Sequence, residues 1–306
     1  GIFGLGNIYS KSFQIADINY DILSDNEKIA KLEKWCQNLN AQRVPYKITI
    51  NNRVRNMQEY RDNLLFEKKG DATDQLCDDL NQEILRRICG EQNGIKQEMY
   101  LTVRKEADTY QAAEAYFNAI DIEKGYQSIG SDLVPLDATQ RLQILHDAYN
   151  SADENYITFD FKSAIENHVD FLDYIVPGKM DFTHDDYFIF KNHGKEKYGS
   201  CLYVRFPRTE QTRLSDRFLS KVMDLNLPMI ASLDVMPIPQ SETKRLLEKK
   251  DSKKARLVRH QNNSRVDKMD FHSELSTTIQ IDKKNLKRQL NDFEENEQHQ
   301  YYVMCN

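Results

Sequence analysis

The stretch Leu227-Pro-Met-Ile-Ala-Ser-Leu-Asp-Val-Met-Pro-Ile-Pro239 decides the fold. Its apolar run from Met229 to Val235 is entered through one proline and left through two, and its length and its Ile, Leu and Val content favour a buried strand over a helix. Proline has no N–H to give to a strand ladder, so we expect pairing to end at Pro237 and Pro239. The rest of the chain is interpreted around this strand.

The composition bounds the class of protein. The chain has 306 residues, enough for two domains with apolar cores, and 29% of them are charged. A net charge of −6 argues against extended nucleic-acid binding but leaves room for local basic patches. The chain shows no apolar run of about 18 residues, no signal peptide and no metal-ligand spacing among its scattered cysteines. These features predict a cytoplasmic protein with reduced thiols.

The first half predicts a hairpin followed by alternating helices and strands. A Gly6-Asn7 turn joins two strands within residues 2–15. Ser24 with Glu27 three residues on forms a capping box that opens a helix. Apolar residues at helical spacing predict the buried stripes of the helices. The further predicted elements are strands 46–51 and 99–103 and helices 72–89, 108–125 and from 135, and the first two helical stripes are Ile29, Leu32, Trp35, Leu39 and Leu76, Leu80, Ile84, Ile88.

The second half follows an acidic segment, 151–185, whose aromatic residues we expect to lie against a neighbouring surface because they need burial. A second hairpin, with strands 187–190 and 200–206, is predicted around Asn192-His-Gly194. The remaining predicted elements are a helix from Leu214, the strand 229–235, a long polar helix 240–268 and a final strand 301–305.

The two halves show the same order of elements. Each has a hairpin, a Leu-Ser-Asp helix start, a proline (Pro45, Pro228) that opens a strand, and a long helical connection to a further strand. We therefore predict a mixed α+β fold of two pseudo-repeated modules of β-hairpin–α–β–α–β, with helices packed on mixed sheets. The predicted units are a first module, 1–150, a connecting segment, 151–185, and a second module, 186–306.

The sequence contains no clear catalytic motif. His184 with Asp185 and Asp186 could coordinate a metal, but an exposed acidic turn is the simpler interpretation. Paired acids such as Asp78-Asp79 are accounted for by the solvated side of a helix. No nucleophile elbow or phosphate loop occurs. We assign no catalytic, cofactor-binding or metal-binding residue, although a small-molecule enzyme is left open because sequence does not reveal pockets.

The most unusual charge feature is the segment from Ser241 to His260, which has eight lysines and arginines against three acids. It is a candidate interaction surface for DNA, acidic lipid or an acidic partner. The alternative is a solvated helix face with paired charges. The absence of interleaved aromatic residues argues against single-stranded nucleic acid. The candidate residues are Lys244, Arg245, Lys249, Lys250, Lys253, Lys254, Arg256 and Arg259.

Seven stretches, read in order along nearly the whole chain, form a recognisable set. They are Asp17-Ile-Asn-Tyr20, Lys47-Ile-Thr-Ile-Asn-Asn52, Tyr100-Leu-Thr-Val103, Pro135 to Tyr149, Phe159-Asp-Phe-Lys162, Ser232 to Pro239 and Arg259-His-Gln-Asn-Asn263. In this order and spacing they resemble the N-terminal region of one family, the TraC/TrbE-type conjugation ATPases of type IV secretion systems, in particular those of Gram-positive conjugative elements.

The resemblance implies a non-catalytic docking and assembly domain that positions a C-terminal motor at the inner-membrane transfer complex. The implied location is cytoplasmic, peripheral on the inner face of the cell membrane. The implied partners are inner-membrane type IV secretion components, neighbouring copies of the chain in a homo-oligomer and the motor itself, with DNA as a further candidate. The alternative function is a stand-alone interaction protein that binds DNA or an anionic surface through residues 244–259.

ATP and Mg²⁺ are expected only for the motor domain. Gly178-Lys179 and Gly194-Lys195 lack both the preceding glycine and the following Ser or Thr of a phosphate-binding loop. No nucleotide-binding residue can therefore be carried over, and we expect the isolated chain not to hydrolyse ATP. The strand-like run Tyr301–Cys305 at the end of the sequence leads us to expect a fragment of a longer polypeptide.

Overall fold

The computed structural model describes most of the chain. The predicted helix from Leu214 lies outside the described residues, as does the turn at His193-Gly194. The described residues are 1–18, 22–41, 44–54, 65–71, 73–88, 95–150, 159–192, 195–203, 227–267, 277–295 and 301–305.

The described strands form two sheets, an antiparallel sheet of seven strands and a smaller sheet of three strands. The large sheet contains β1 (Ile2–Leu5), β2 (Ile8–Ile15), β3 (Tyr46–Val54), β4 (Ile95–Glu106), β5 (Leu133–Pro135), β9 (Met229–Pro237) and β10 (Tyr301–Cys305). The small sheet contains β6 (Lys179–Asp181), β7 (Phe188–Asn192) and β8 (Lys195–Gly199). The helices are α1 (Asp25–Ala41), α2 (Asp74–Ile88), α3 (Tyr110–Ala119), α4 (Ile122–Ile129), α5 (Ala138–Asn150), α6 (Phe161–Glu166), α7 (Phe171–Ile175), α8 (Gln240–Asp267) and α9 (Thr277–Glu295). The fold is mixed α+β, as predicted.

The order of the large sheet is β1-β2-β4-β3-β9-β10, with β5 pairing to β2. β9, the strand of the opening stretch, therefore lies between β3 and β10. Its pairing with β3 ends at Val235, opposite the first residue of β3, and its pairing with β10 ends at Pro237, which lies opposite Tyr301. Pro237 is also the last residue of β9, so the prediction that pairing ends there is confirmed.

Every strand pair in the described part of the chain is antiparallel, so the predicted mixed sheets are wrong. The connection from β9 to β10 shows the physical reason. α8 and α9 pack against each other and bring the chain back from Pro237 to Tyr301, its partner across the ladder. A strand that begins beside the end of the previous strand must run antiparallel to that strand.

One face of the large sheet forms the main core. Phe13 and Ile48 flank Leu101 from the two neighbouring strands, and Tyr46 lies between Val103 and Val235. Residues opposite each other across antiparallel strands share a face, so these apolar side chains form one surface. The helices that cover it contribute Ala113, Phe117, Ile122, Tyr126 and Ile129.

The helix starts are predicted better than the helix faces. Ser24 donates from its backbone and its hydroxyl to Glu27 Oε2, at 2.9 and 2.7 Å, which confirms the helix start and the Glu27 half of the capping box. The predicted stripe of α1 is confirmed at Trp35, which packs against the core with its ring centroid 5.4 Å from that of Tyr126. It is wrong at Ile29 and Leu32, which are both more than half exposed. α1 also approaches α4 through Lys31, whose Nζ donates to the Ile129 carbonyl at 2.6 Å. In α2, Leu76 and Leu80 are likewise exposed.

Two other boundaries differ from the prediction. The helix expected over 108–125 is capped by Thr109, whose hydroxyl accepts from Ala112 N–H, and it ends where Ile120 becomes extended. α4 then begins separately. The second strand of the second hairpin is Lys195–Gly199 and not 200–206, of which 204–206 lie outside the described residues. Gly199 lies under the Phe188 ring, where a Cβ would approach the ring to 2.3 Å.

Candidate functional site

The second face of the large sheet is polar. Along β4, Glu98, Tyr100, Thr102 and Arg104 alternate with the core residues, so they project to the opposite side. α5 lies over part of this face, where the Arg141 guanidinium donates to the Ser10 carbonyl and hydroxyl at 2.7 and 2.9 Å. The polar face therefore gathers charged groups from several strands and one helix.

The centre of this arrangement is the Glu98 carboxylate, which is buried. Arg53 Nε lies 2.9 Å from it, Lys96 Nζ also 2.9 Å, and the Tyr100 hydroxyl donates to it at 2.6 Å. Burial alone would raise the pKa of the Glu98 carboxyl, but the hydrogen bonds from Tyr100, Lys96 and Arg53 outweigh burial and lower that pKa to about 2. Glu98 therefore stays negatively charged at neutral pH.

α5 joins this centre through Asp147, whose carboxylate lies 3.6 Å from Arg53 Nη1. Gln143 Nε2 donates to Asp147 at 2.6 Å and its carbonyl accepts from the Tyr174 hydroxyl at 2.7 Å. His146 Nδ1 lies 3.3 Å from Asp147, and its ring stacks on Tyr174 at 4.6 Å between centroids. We call this set, Arg53, Lys96, Glu98, Tyr100, Gln143, His146, Asp147 and Tyr174, the Glu98 cluster.

A second ion-pair group lies on the same face and spans three strands. Asp234 of β9 lies 3.2 Å from Lys47 Nζ of β3 and 3.0 Å from Arg104 Nη2 of β4. Its carboxylate is nearly buried, whereas the two cations are about one third exposed. This group fixes the register of the strands at the centre of the sheet, because a shift of one residue would turn Asp234 towards the apolar core.

The Glu98 cluster fits a structural role better than proton transfer. A general acid or base works best with a pKa near the working pH. The pKa of Glu98 is far below that range, and burial together with the neighbouring Glu98 charge raises the pKa of Tyr100 above its usual value. These two groups therefore keep their charge states near neutral pH, and Glu98 pairs with Arg53, which in turn pairs with Asp147 of α5.

The residues predicted as an interaction surface lie on α8. Thr243 and Leu247 are buried and four residues apart, so they mark the side of α8 that faces the protein. At 3.6 residues per turn, four cations fall within about 80° of arc on the opposite side, along about 21 Å of helix. All four are exposed. We call these residues, Arg245, Lys249, Arg256 and Arg259, the cationic stripe.

The other predicted cations flank the stripe. Lys244, Lys250 and Lys253 are exposed on either side of it, whereas Lys254 is half-buried. Within the described residues, no ion pair neutralises a member of the cationic stripe. The interpretation as a face with paired charges is therefore not supported for those four residues.

Metal binding has no support in the part of the chain that the structure describes, where no group of three or more His, Cys, Asp or Glu could hold an ion. His184 instead stacks on Tyr187, with 4.3 Å between ring centroids and 15° between planes. None of the described helices combines the length and the apolar character needed to cross a membrane.

The Glu98 cluster and the Asp234 group were not predicted from the sequence. Their signal was present in the alternation of polar and apolar residues along the strands, such as Lys47, Thr49, Asn51 and Arg53 in β3. That alternation is also typical of a solvated sheet face, so it does not show which polar residues are buried.

No model of a known protein family matches the chain, and the curated proteins include no sequence that matches it. The class of the molecule therefore rests on its fold and surfaces: an α+β protein with one large antiparallel sheet, a charged cluster under α5 and an exposed cationic stripe.

Proposed function

We propose that the chain is a non-catalytic docking and assembly domain of a conjugation ATPase of type IV secretion systems. In this role it holds an ATP- and Mg²⁺-dependent motor at the cytoplasmic face of the cell membrane. Its partners are inner-membrane components of the transfer complex, the motor itself and neighbouring copies of the chain in a homo-oligomer. The function of the chain is then mechanical, since a rigid sheet can transmit the motion of a motor to a fixed membrane partner.

The observation that carries this proposal is the convergence of the stretches that resemble the family. Lys47–Asn52, Tyr100–Val103 and Ser232–Pro239 fall on β3, β4 and β9, which are neighbours in the sheet. The stretch from Pro135 to Tyr149 contains nearly all of α5, which the Arg53–Asp147 ion pair joins to the same strands. Residues far apart in sequence thus meet in one part of the sheet, which supports the proposal that they belong to one domain.

The proposal includes the two related modules, and the register of the sheet supports them. Tyr46 pairs with Val235 and Asn52 with Met229, so the first seven residues of β3 pair with the first seven of β9, centred on Thr49 and Ser232. The last residue of each nine-residue strand also meets the first residue of its return strand: Val54 lies opposite Ile95, and Pro237 lies opposite Tyr301. This correspondence between the β3-β4 pair and the β9-β10 pair is the observation that supports two related modules.

The test is binding of the purified chain to the inner-membrane transfer complex reconstituted in liposomes. We expect the chain to sediment with liposomes that contain the complex and not with protein-free liposomes of the same lipid composition. We also expect no ATP turnover by the purified chain. Equal sedimentation with both kinds of liposome, or ATP turnover that remains after further purification, would contradict the proposal.

The cationic stripe favours a second candidate function, binding of DNA or an anionic surface by a stand-alone interaction protein. Its four cations lie opposite the buried side of α8 and have no ion-pair partner among the described residues. Neutralising phosphates with such side chains releases counterions, so affinity should fall steeply with salt.

A pair of matched variants tests this second function. Lys249→Glu with Arg256→Glu changes two members of the stripe, and Lys244→Glu with Lys250→Glu changes the net charge equally on the same helix. Binding of fluorescent duplex DNA at low salt should fall about tenfold or more for the stripe variant, about 1.4 kcal/mol, and much less for the control. Equal losses in both variants would indicate a response to net charge alone and would remove this function.

A further inference from the structure

The outer edge of β10 is the least protected apolar edge of the large sheet. Tyr302, Val303 and Met304 are 53%, 46% and 58% exposed. In the described part of the chain, no strand pairs with β10 on the side away from β9. Charged residues, prolines and bulges commonly protect an exposed edge from pairing with another chain, and Tyr301–Cys305 contains neither a charge nor a proline. This edge is therefore a template for an additional strand.

The register of the sheet indicates which strand direction fits. β10 pairs with β9 in the same register as β4 pairs with β3. In both pairs the first residue of the later strand lies opposite the last residue of the earlier one, Tyr301 opposite Pro237 and Ile95 opposite Val54. On its other side, β4 pairs with β2 in the antiparallel direction. The corresponding position beside β10 therefore suits an antiparallel strand.

We propose that β10 of a second copy occupies this position, around a twofold axis at Val303. An antiparallel pair with this centre places Tyr302 opposite the partner's Met304 on one face of the continuous sheet. Both side chains are more than half exposed in the single chain, and an aromatic ring and a thioether make a favourable contact. An uncharged strand also meets its own copy without like-charge repulsion.

The other edge of the sheet is less suited to receive β10. β1 has only four residues and contains Gly4. The chain at its start is also held from within: the Gly1 amino group donates to the Leu136 carbonyl at 3.0 Å, and Arg141 Nη1 donates to the Gly1 carbonyl at 3.0 Å. A head-to-tail contact between β10 and β1 would moreover leave edges free and build open chains, whereas the twofold contact closes as a dimer.

This contact rests on the self-association that the proposed function includes, and it names the surface responsible. Specific, stable interfaces bury about 1,200–2,000 Å², and a pair of five-residue strands covers less than that. We therefore expect a concentration-dependent dimer with a dissociation constant in the micromolar range.

Sedimentation velocity of the purified chain across the micromolar range tests the contact. Val303→Lys and Val303→Glu each place like charges opposite each other at the axis, so each should raise the dissociation constant of the dimer about tenfold or more, about 1.4 kcal/mol. An equimolar mixture of the two variants should restore dimers, because the introduced lysine then faces the introduced glutamate. Val134→Lys, at a 54% exposed valine of the short strand β5, is the matched control and should leave the dimer unchanged.

The outcomes separate this contact from the proposed function. A chain that is monomeric at every concentration removes self-association itself, and the contact with it. If the dimer persists in both Val303 variants, self-association uses another surface. The same holds if the mixture of the two variants stays monomeric. Either result overturns the β10 contact but leaves self-association in place. Assemblies larger than dimers would indicate head-to-tail pairing and overturn the twofold arrangement.

Discussion

The chain concentrates charge in two regions that differ in burial. In the Glu98 cluster, Glu98 is buried, Arg53 and Asp147 are about one fifth exposed, and all three have partners. On the cationic stripe the side chains are exposed, and no ion pair is made to them within the described residues. An unpaired charge costs several kcal/mol when it is buried and little when water solvates it.

The difference shows what each region can contribute. Charges in the Glu98 cluster pair with one another, and the Arg53–Asp147 ion pair helps to position α5 on the sheet. Charges on the cationic stripe contribute little to the fold and remain available to an anionic partner. The two regions should therefore respond in opposite ways to the loss of charge.

The largest effect is expected for Glu98→Gln. The substitution keeps the shape of the side chain but leaves Arg53 and Lys96 without their buried counter-charge, so the free energy of unfolding should fall by about 3 kcal/mol. Chemical denaturation measures it. Glu106→Gln, at the exposed end of the same strand, is the matched control and should cost less than about 1 kcal/mol. Similar losses in both variants would show that the Glu98 cluster is not a structural centre.

Acid should abolish this difference. The folded-state pKa of Glu98, about 2, lies below its ordinary value of 4.5. A lowered pKa adds stability that is fully present above pH 4.5 and is lost as the pH falls towards 2, at most about 3 kcal/mol. Denaturation curves of the wild type and Glu98→Gln should therefore converge below about pH 4. A gap that stays constant down to pH 3 would mean that the charge of Glu98 is not its source.

Sequence predicted the strands of the sheet centre because their pattern depends on local properties. Pro45 and Pro228 mark the starts of β3 and β9, and β3 is recognised by its alternation of polar and apolar residues, whereas β9 is recognised by its apolar run. The direction in which the strands pair is not determined by local sequence. It depends on how α8 and α9 return the chain to the sheet, and no property of β9 or β10 alone contains that information.

The faces of helices were predicted less well for a related reason. In α1 and α2 the apolar residues Leu32 and Leu76 recur at helical spacing, yet both are exposed, while Lys31 lies against α4. Periodicity shows which residues share a face but not which face finds a neighbour. The cationic stripe could be predicted because exposed charge needs no partner, whereas the Glu98 cluster could not, because its members come from separate elements.

The smallest effect on stability is expected for the cationic stripe, and its sign separates the two regions. Arg245 and Lys249 are four residues apart and Arg256 and Arg259 are three apart, and like charges at these spacings destabilise a helix by about 0.2–0.5 kcal/mol per pair. Replacing all four with glutamine should therefore raise the free energy of unfolding slightly, by about 0.5 kcal/mol. Because exposed charges are screened, the gain should disappear in about 1 M salt. Chemical denaturation at low and high salt measures both results. A loss of more than about 1 kcal/mol would mean that these cations have partners within the chain, and the contrast with the Glu98 cluster would then fail.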